Sequence, residues 1–365
     1  MKIKYPLLSN AFSNKDIELG VEVLRSKFIT MSRHTEKFEK FFAKKLNLKY
    51  ALMTNSGSSA NLLAVSSLIN PFRKKKLNKG DEVLIPAVCW STSLWPIVQN
   101  GLKPVFVDVE LDTFNISLDD LKKKISKKTK AVMCIHILGT STNMQKLNQI
   151  AKKYKLLIIE DTCESLGARY NNKYLGSFGE FGTFSFYYSH QITCGEGGMI
   201  VCKNKEDYNI LKTLRSHGWS RNTSFEKRFK KKYQKVDNRF MFVNSGYNLR
   251  PTDVQAAIGL NQLKRLEKFK KIRKENRIKI IKNLKSHIKW KNQFKFVEIN
   301  KNIHPSWFGL AILLNPDYKI KKKRYLNYLN SVGIENRPIL SGNFLNQPSV
   351  KIYNLRPKKI IFRMP

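Results

Sequence analysis

Between residues 50 and 203, short apolar runs alternate with amphipathic segments, and no other feature restricts the fold of this chain as much. Strands are expected at Tyr50–Thr54, Glu82–Pro86, Pro104–Val109, Ala131–Ile137 and Leu156–Glu160. The first runs into a helix ending near Ile69, and helical patterns at Leu118–Ile125 and Met144–Tyr154 separate others. Strands joined through helices lie parallel and are covered on both faces, so the pattern predicts an α/β fold around a mostly parallel sheet. Helices Lys15–Arg25 and Thr35–Leu46 precede this region. Strands Gly182–Tyr187 and Gly198–Lys203 and a helix Lys205–Ser216 close it.

At 365 residues the chain is long enough for two lobes. Lys227–Asn238, basic and aperiodic, reads as a surface excursion. Pro251 suits a first helical turn, where its missing N–H costs nothing, and is expected to open a long helix from Thr252 to about Ile281. Short strands and helices, such as Trp307–Leu314 and Lys321–Ser331, follow. The expected division is a large domain over 1–250 and the long helix with a smaller α+β domain over 251–365.

The 68 Lys and Arg residues outnumber the 27 Asp and Glu, a formal charge of +41. Alone, that excess suggests nucleic acid or another anionic partner. The lysines are scattered along amphipathic elements, however, and no nucleic-acid-binding motif accompanies them, so a solvated basic surface is the preferred reading. The five cysteines, Cys89, Cys134, Cys163, Cys194 and Cys202, form no CxxC pair and read as reduced thiols. No apolar run approaches the roughly 20 residues of a spanning helix, and the first residues lack a signal-peptide core, so a cytoplasmic protein without membrane attachment is expected.

Four segments carry candidate chemistry. The turn Asn55–Asn61 joins a strand to a helix, where free N–H groups and the positive dipole end attract phosphate. Gly57 permits close approach there, and Ser56 and Ser58 add hydroxyls; an ordinary helix cap explains the turn equally well. Asp161 ends an apolar strand, the place where open α/β sheets build sites, either as the partner of a pyridinium N–H or as a helix cap. Trp90 follows another strand, placed either to stack on a flat ring or to fill the core. The stretch Ser185-Phe-Tyr-Tyr-Ser-His190-Gln-Ile-Thr-Cys-Gly195-Glu-Gly-Gly198 joins an apolar-aromatic run to a Gly-rich hairpin signal, with His190 in its middle. Ser185 is a candidate phosphate donor, whereas Tyr187 and Tyr188 read as packing residues.

Together with Gly246-Tyr-Asn248-Leu-Arg250-Pro-Thr-Asp253-Val-Gln-Ala-Ala, these segments resemble, in order and spacing, the DegT-type pyridoxal phosphate (PLP) enzymes of nucleotide-linked sugars. The resemblance implies PLP fold type I, the aspartate aminotransferase-like architecture. In that family a loop lysine forms a Schiff base with the cofactor; here His190 stands at its position, as in the family's 3-dehydratase branch. An imidazole moves protons near neutral pH but forms no such bond.

The resemblance implies Ser56, Gly57, Ser58, Trp90, Asp161, Glu164 and Ser185 at the cofactor, with Asn248 reaching the phosphate of a partner subunit in a homodimer. It places His217, Arg221 and Arg250 toward the substrate. The implied reaction removes the C3 hydroxyl of a nucleotide-linked 4-keto-6-deoxyhexose. L-glutamate converts PLP to pyridoxamine phosphate (PMP), and His190 is the acid and base. GDP is the expected nucleotide, with CDP and dTDP as alternatives. Iron–sulfur members of the branch need a later cysteine set, and no cysteine follows Cys202, so neither a cluster nor another metal is expected. A lysine-less PLP-binding relative without dehydratase activity is the alternative, and a basic nucleic-acid-binding protein the more distant one. Similar enzymes continue for a short segment beyond the part matching this C-terminus, so a final element of the small domain is expected to be missing.

Overall fold

The computed structural model describes residues 3–8, 12–299, 301–318 and 321–355. Helices α1 (Asn14–Arg25) and α2 (Arg33–Lys45) lead into β1 (Tyr50–Thr54) and α3 (Gly57–Leu68). Next come β2 (Glu82–Pro86), α4 (Ser91–Gln99), β3 (Lys103–Val107), α5 (Leu118–Lys124), β4 (Thr129–Ile135), α6 (Met144–Tyr154) and β5 (Leu157–Asp161). A hairpin of β6 (Arg169–Tyr170) and β7 (Lys173–Tyr174) separates these from β8 (Phe181–Ser185) and β9 (Gly198–Cys202).

Seven strands form one sheet in the order β1-β9-β8-β5-β4-β2-β3. Pairing is parallel from β8 through β5, β4 and β2 to β3, whereas β9 runs antiparallel to both its neighbours. The predicted mostly parallel sheet is therefore present, and β9 is antiparallel because the chain between β8 and β9 forms no crossover helix and turns straight back. Helices cover both faces, with one buried cluster around Leu63, Ile85, Ile97 and Met133 and another around Leu84, Val132, Leu147 and Ile158.

The sequence does not announce α4, because Pro96 lies inside it. The supposed excursion at 227–238 begins in a helix, α8 (Ser224–Lys232), which follows α7 (Lys205–Arg215). Phe225 and Phe229, one turn apart, both pack on Phe72, and this aromatic stripe was hidden among lysines.

The single long helix is two. Thr252 is an N-cap in a capping box with Gln255, so Pro251 lies before the helix rather than in its first turn. Helix α9 (Asp253–Lys264) ends at Arg265 and α10 (Leu266–Lys285) begins after it. At the break, the buried Asp16 of α1 accepts hydrogen bonds from Asn261 at 2.8 Å, Gln262 at 3.0 Å and Arg265 at 2.9 Å.

Beyond α10, β10 (Phe294–Phe296) pairs with β12 (Ile312–Leu314), and β11 (Ile303–His304) pairs with β6. Helices α11 (Lys322–Ser331) and α12 (Pro348–Ile352) complete this α+β part. The strand expected from Trp307 covers only Ile312–Leu314, because the backbone N–H groups of Ser306 and Phe308 bond instead to Gly139 and Leu138. All five cysteines are free, and among the described residues no helix is long and apolar enough to cross a membrane.

Candidate active site

Strand register brings the chemical residues to one edge of the sheet. Thr54 and Ser185 both pair with Gly198, and Asp161 pairs with Thr183, so the ends of β1, β5 and β8 lie together at the start of β9. The chain leaves β1 through Asn55 and Ser56 and enters α3 at Gly57. The Ser56 hydroxyl accepts the Ser59 N–H at 3.1 Å, and Ser58 Oγ donates to Thr92 Oγ1 at 2.9 Å.

A Cβ on Gly57 would lie 2.5 Å from that of Ser185 and 3.1 Å from the Cys163 sulfur. One on Gly198 would lie 2.3 Å from the Ser56 carbonyl oxygen. Both glycines are demanded by contact, which presses the tip of α3 against the end of β8. Ser185 is 8% exposed and accepts the Tyr187 N–H at 3.3 Å. A helix tip with three serine hydroxyls around it is a donor set for a phosphate dianion.

Asp161 is buried, and three donors fix its carboxylate: Asn61 Nδ2 at 2.8 Å, Ser93 Oγ at 2.7 Å and the Cys163 N–H at 3.1 Å. Asn61 is oriented in turn by the Thr183 hydroxyl, which donates to its Oδ1 at 2.6 Å. Sequence reasoning missed Asn61, Ser93 and Thr183; the recurrence of Asn one turn into α3 was the available signal. The neighbouring Glu160 and His136 are fully buried and 3.0 Å apart. Burial alone would raise the Glu160 carboxyl, but the hydrogen bond and charge of His136, with the Gly179 and Gly176 N–H groups, bring it below its usual range.

His190 lies in the return between β8 and β9, whose base is tied by the Phe186 N–H to the Gly197 carbonyl at 2.8 Å. Its Nδ1 is 2.7 Å from the Cys163 carbonyl oxygen. A carbonyl only accepts, so Nδ1 carries the hydrogen and Nε2 is left with the lone pair. The ring packs against Phe308, with centroids 5.2 Å apart, and edge-on to Tyr187 at 6.0 Å. Burial lowers the imidazole below its usual range; the Cys163 carbonyl and Asp161 oppose this shift and Arg273 adds to it.

Glu164 accepts the Leu138 N–H at 2.9 Å. Burial, with Asp161 adding to it and the Leu138 N–H opposing, pushes its carboxyl up to about 7. The folded protein therefore holds a proton there that the unfolded chain releases above its ordinary carboxylate range. This group's stabilisation is full at low pH and is lost as the pH rises toward 7. In Glu164→Gln, the melting temperature of the cofactor-free protein is expected to fall less steeply with pH across that window; a slope identical to that of the unmodified protein would refute the assignment.

Trp90 is 55% exposed at the N-cap of α4, so it is no core residue. Tyr187 and Tyr188 are partly exposed but do pack, Tyr187 on His190 and Tyr188 on Phe12, whose ring centroid lies 6.4 Å away. With Ser189, Glu335 and Arg337 they line a cavity of about 130 Å³ next to the His190 loop. Glu335 and Arg337 carried no signal in the sequence, since the residues after α11 are indistinguishable there from a solvated surface.

The remaining predicted residues form a second group. The Arg221 guanidinium lies 5.2 Å and that of Arg250 6.0 Å from the Trp219 ring, with the His217 ring edge-on at 5.3 Å. Arg250 Nε donates to Asn248 Oδ1 at 3.1 Å, and Asn248 is exposed. Among the described residues, no hydrogen bond or ring contact joins this group to Asp161, Ser185 or His190. Nor is any group of three or more His, Cys, Asp or Glu side chains placed to hold a metal ion among them.

The mixed sheet, the phosphate-type helix tip and the strand-end carboxylate together make this an aspartate aminotransferase-like protein of PLP fold type I. The DegT/DnrJ/EryC1/StrS aminotransferase family model matches residues 11–358, and the chain belongs to that family. It is 39% identical over 355 residues to the GDP-4-keto-6-deoxy-D-mannose 3-dehydratase of Escherichia coli O55:H7, covering 96% of this chain and 89% of that one. Two solved structures of GDP-4-keto-6-deoxymannose-3-dehydratase, each 38% identical, are similar over 96% of this chain and 89% of theirs. One, a histidine-to-asparagine mutant with bound GDP-perosamine, superposes with a TM-score of 0.88. The other, with a trapped PLP–glutamate geminal diamine, gives 0.87.

Proposed function

We propose that this protein removes the C3 hydroxyl of a nucleotide-linked 4-keto-6-deoxyhexose, GDP-4-keto-6-deoxymannose, with L-glutamate as amino donor. Bound PLP, converted by glutamate to PMP, supplies an amine for the C4 ketone and a ring that takes up electrons. The tip of α3 with Ser56, Ser58 and Ser185 would hold its phosphate, Asp161 its pyridinium N–H, and Trp90 one ring face. The tightness of the Gly57–Ser185 contact and the preset Asp161 carboxylate support this fit.

The observation that carries the reading is the His190–Cys163 hydrogen bond. It aims a neutral imidazole lone pair from a loop that offers no amine to anchor the cofactor covalently. With the cofactor bound, Nε2 would accept the proton released beside it, and the resulting imidazolium would give one to the C3 oxygen as it leaves. Glu164 would lie at the cofactor's edge, and Arg337, 3.8 Å from Glu335 on the cavity beside the His190 loop, would meet the carboxylate of glutamate.

Arg221 or Arg250 would meet the nucleotide diphosphate, with His217 toward the substrate, and Asn248 would reach the phosphate of a second copy in a homodimer. Asn248 is exposed, as a residue that reaches a second copy must be. The free thiols agree with a cytoplasmic location.

Incubation with PLP, L-glutamate and GDP-4-keto-6-deoxymannose is expected to release one ammonia per sugar deoxygenated and to yield a 3-deoxy-4-keto sugar. Accumulation of an amino sugar instead would identify an aminotransferase and overturn the proposal.

A further inference from the structure

Arg273 of α10 stands behind the active-site loop and makes an unusual pair of contacts. Its Nη1 donates to the Trp307 carbonyl at 3.1 Å and its Nη2 to the His190 carbonyl at 3.4 Å. Among the described residues no carboxylate lies within ion-pair reach of it, so its charge is not neutralised by a neighbour. An arginine placed only to fill space or to improve solubility would not be aimed at two backbone carbonyls on different lobes.

The segment it grips is docked at several further points. The Ser306 N–H donates to the Gly139 carbonyl at 3.0 Å and the Phe308 N–H to that of Leu138 at 3.3 Å. A Cβ on Gly139 would lie 2.0 Å from the Ser306 carbonyl oxygen, so the two backbones are in direct contact. Gln191 donates to the carbonyls of both Glu164 and Ser306. Arg277, one turn beyond Arg273, sets its guanidinium 3.8 Å from the Trp307 ring. The segment ends at Phe308, whose ring rests on His190.

We propose that Arg273 is a positioning residue for His190: its guanidinium ties the loop carrying the imidazole to the small-lobe segment 306–308 and sets an unpaired positive charge behind the ring. This deepens the dehydratase reading, on which its catalytic meaning rests. The charged groups acting on His190 are Asp161 from β5 and Arg273 from α10; Tyr187 and Phe308 supply its aromatic walls. Asp161 favours the imidazolium, whereas burial and Arg273 favour the neutral ring. A base must start neutral, so Arg273 pushes in the productive direction. Its removal raises the pH at which the ring loses its proton.

The test needs no turnover. In cofactor-free protein carrying ¹³C-labelled histidine, with the His190 signal assigned from its loss in His190→Asn, Arg273→Gln is expected to move that titration up by roughly half to one pH unit. Hydrogen exchange in peptides covering 306–308 and 188–192 should become faster in the same variant. Arg273→Lys keeps the charge but cannot reach both carbonyls. It should leave the His190 titration near its original position while exchange still accelerates, and it provides the decisive comparison if the glutamine variant does not fold. An unmoved titration in Arg273→Gln, a large shift in Arg273→Lys, or unchanged exchange in both would each overturn the proposal. The ammonia-release assay on the unmodified protein judges the dehydratase reading separately.

Discussion

Replacing His190 with asparagine is expected to leave PLP and PMP binding intact while lowering the dehydration rate by roughly 10²–10⁴-fold, the usual contribution of a positioned acid or base. The asparagine amide can still donate to the Cys163 carbonyl, as Nδ1 does at 2.7 Å, so the loop keeps its anchor. What it lacks is a second nitrogen that takes up and returns a proton near neutrality. Absorbance titration with PLP should therefore give curves that superpose on those of the unmodified protein, while single-turnover deoxygenation of the keto sugar collapses. Undiminished turnover in this variant would remove His190 from the chemistry.

Asp161→Asn is expected to act on the preceding event, capture of the cofactor. A carboxylate about 4 Å from a pyridinium charge gains ~4 kcal/mol at an effective dielectric of 20. Losing that charge should weaken PLP binding by roughly 10²–10³-fold. The substitution also places an amide N–H₂ among three donors, since Asn61 and Ser93 both donate to Oδ2 and the Cys163 N–H to Oδ1. Part of the buried network is then left unsatisfied, and the cofactor-free protein should also melt at a lower temperature. Comparing melting curves with and without PLP separates the effects: the stabilisation that added PLP confers should nearly vanish. Unchanged PLP affinity would place the ring nitrogen elsewhere.

The large sheet was legible because its strands are short apolar runs between helical patterns. Tyr50–Thr54, Glu82–Pro86 and the helix Met144–Tyr154 have the predicted bounds. Where the reading failed, tertiary contacts outweighed local pattern. Nothing within Leu263–Phe269 breaks a helix; the interruption at Arg265 answers to Asp16, some 250 positions earlier. The stripe of Phe225 and Phe229 is too narrow to stand out among lysines.

In the candidate site, Asp161 and Ser185 were visible because each ends an apolar strand, and His190 because it stands in the turn between two of them. Those that aim them were not. The Cys163 carbonyl and the Leu138 N–H are backbone groups without a sequence signature. Asn61, Ser93, Arg273 and Arg337 are ordinary helix or surface residues until the fold brings them to the pocket.

Because β9 folds straight back beside β8, the dozen residues between them form a tethered flap whose two roots are neighbouring rungs of the same ladder. Ser185 pairs with Gly198 and Phe186 with Gly197, and only beyond those rungs does His190 emerge. Exchanging a side chain at the crest therefore leaves strand order and helix cover untouched. A scaffold of this kind can trade one reagent for another with little penalty in stability, so new reactions can evolve at the tip while the rest of the molecule stays as it is.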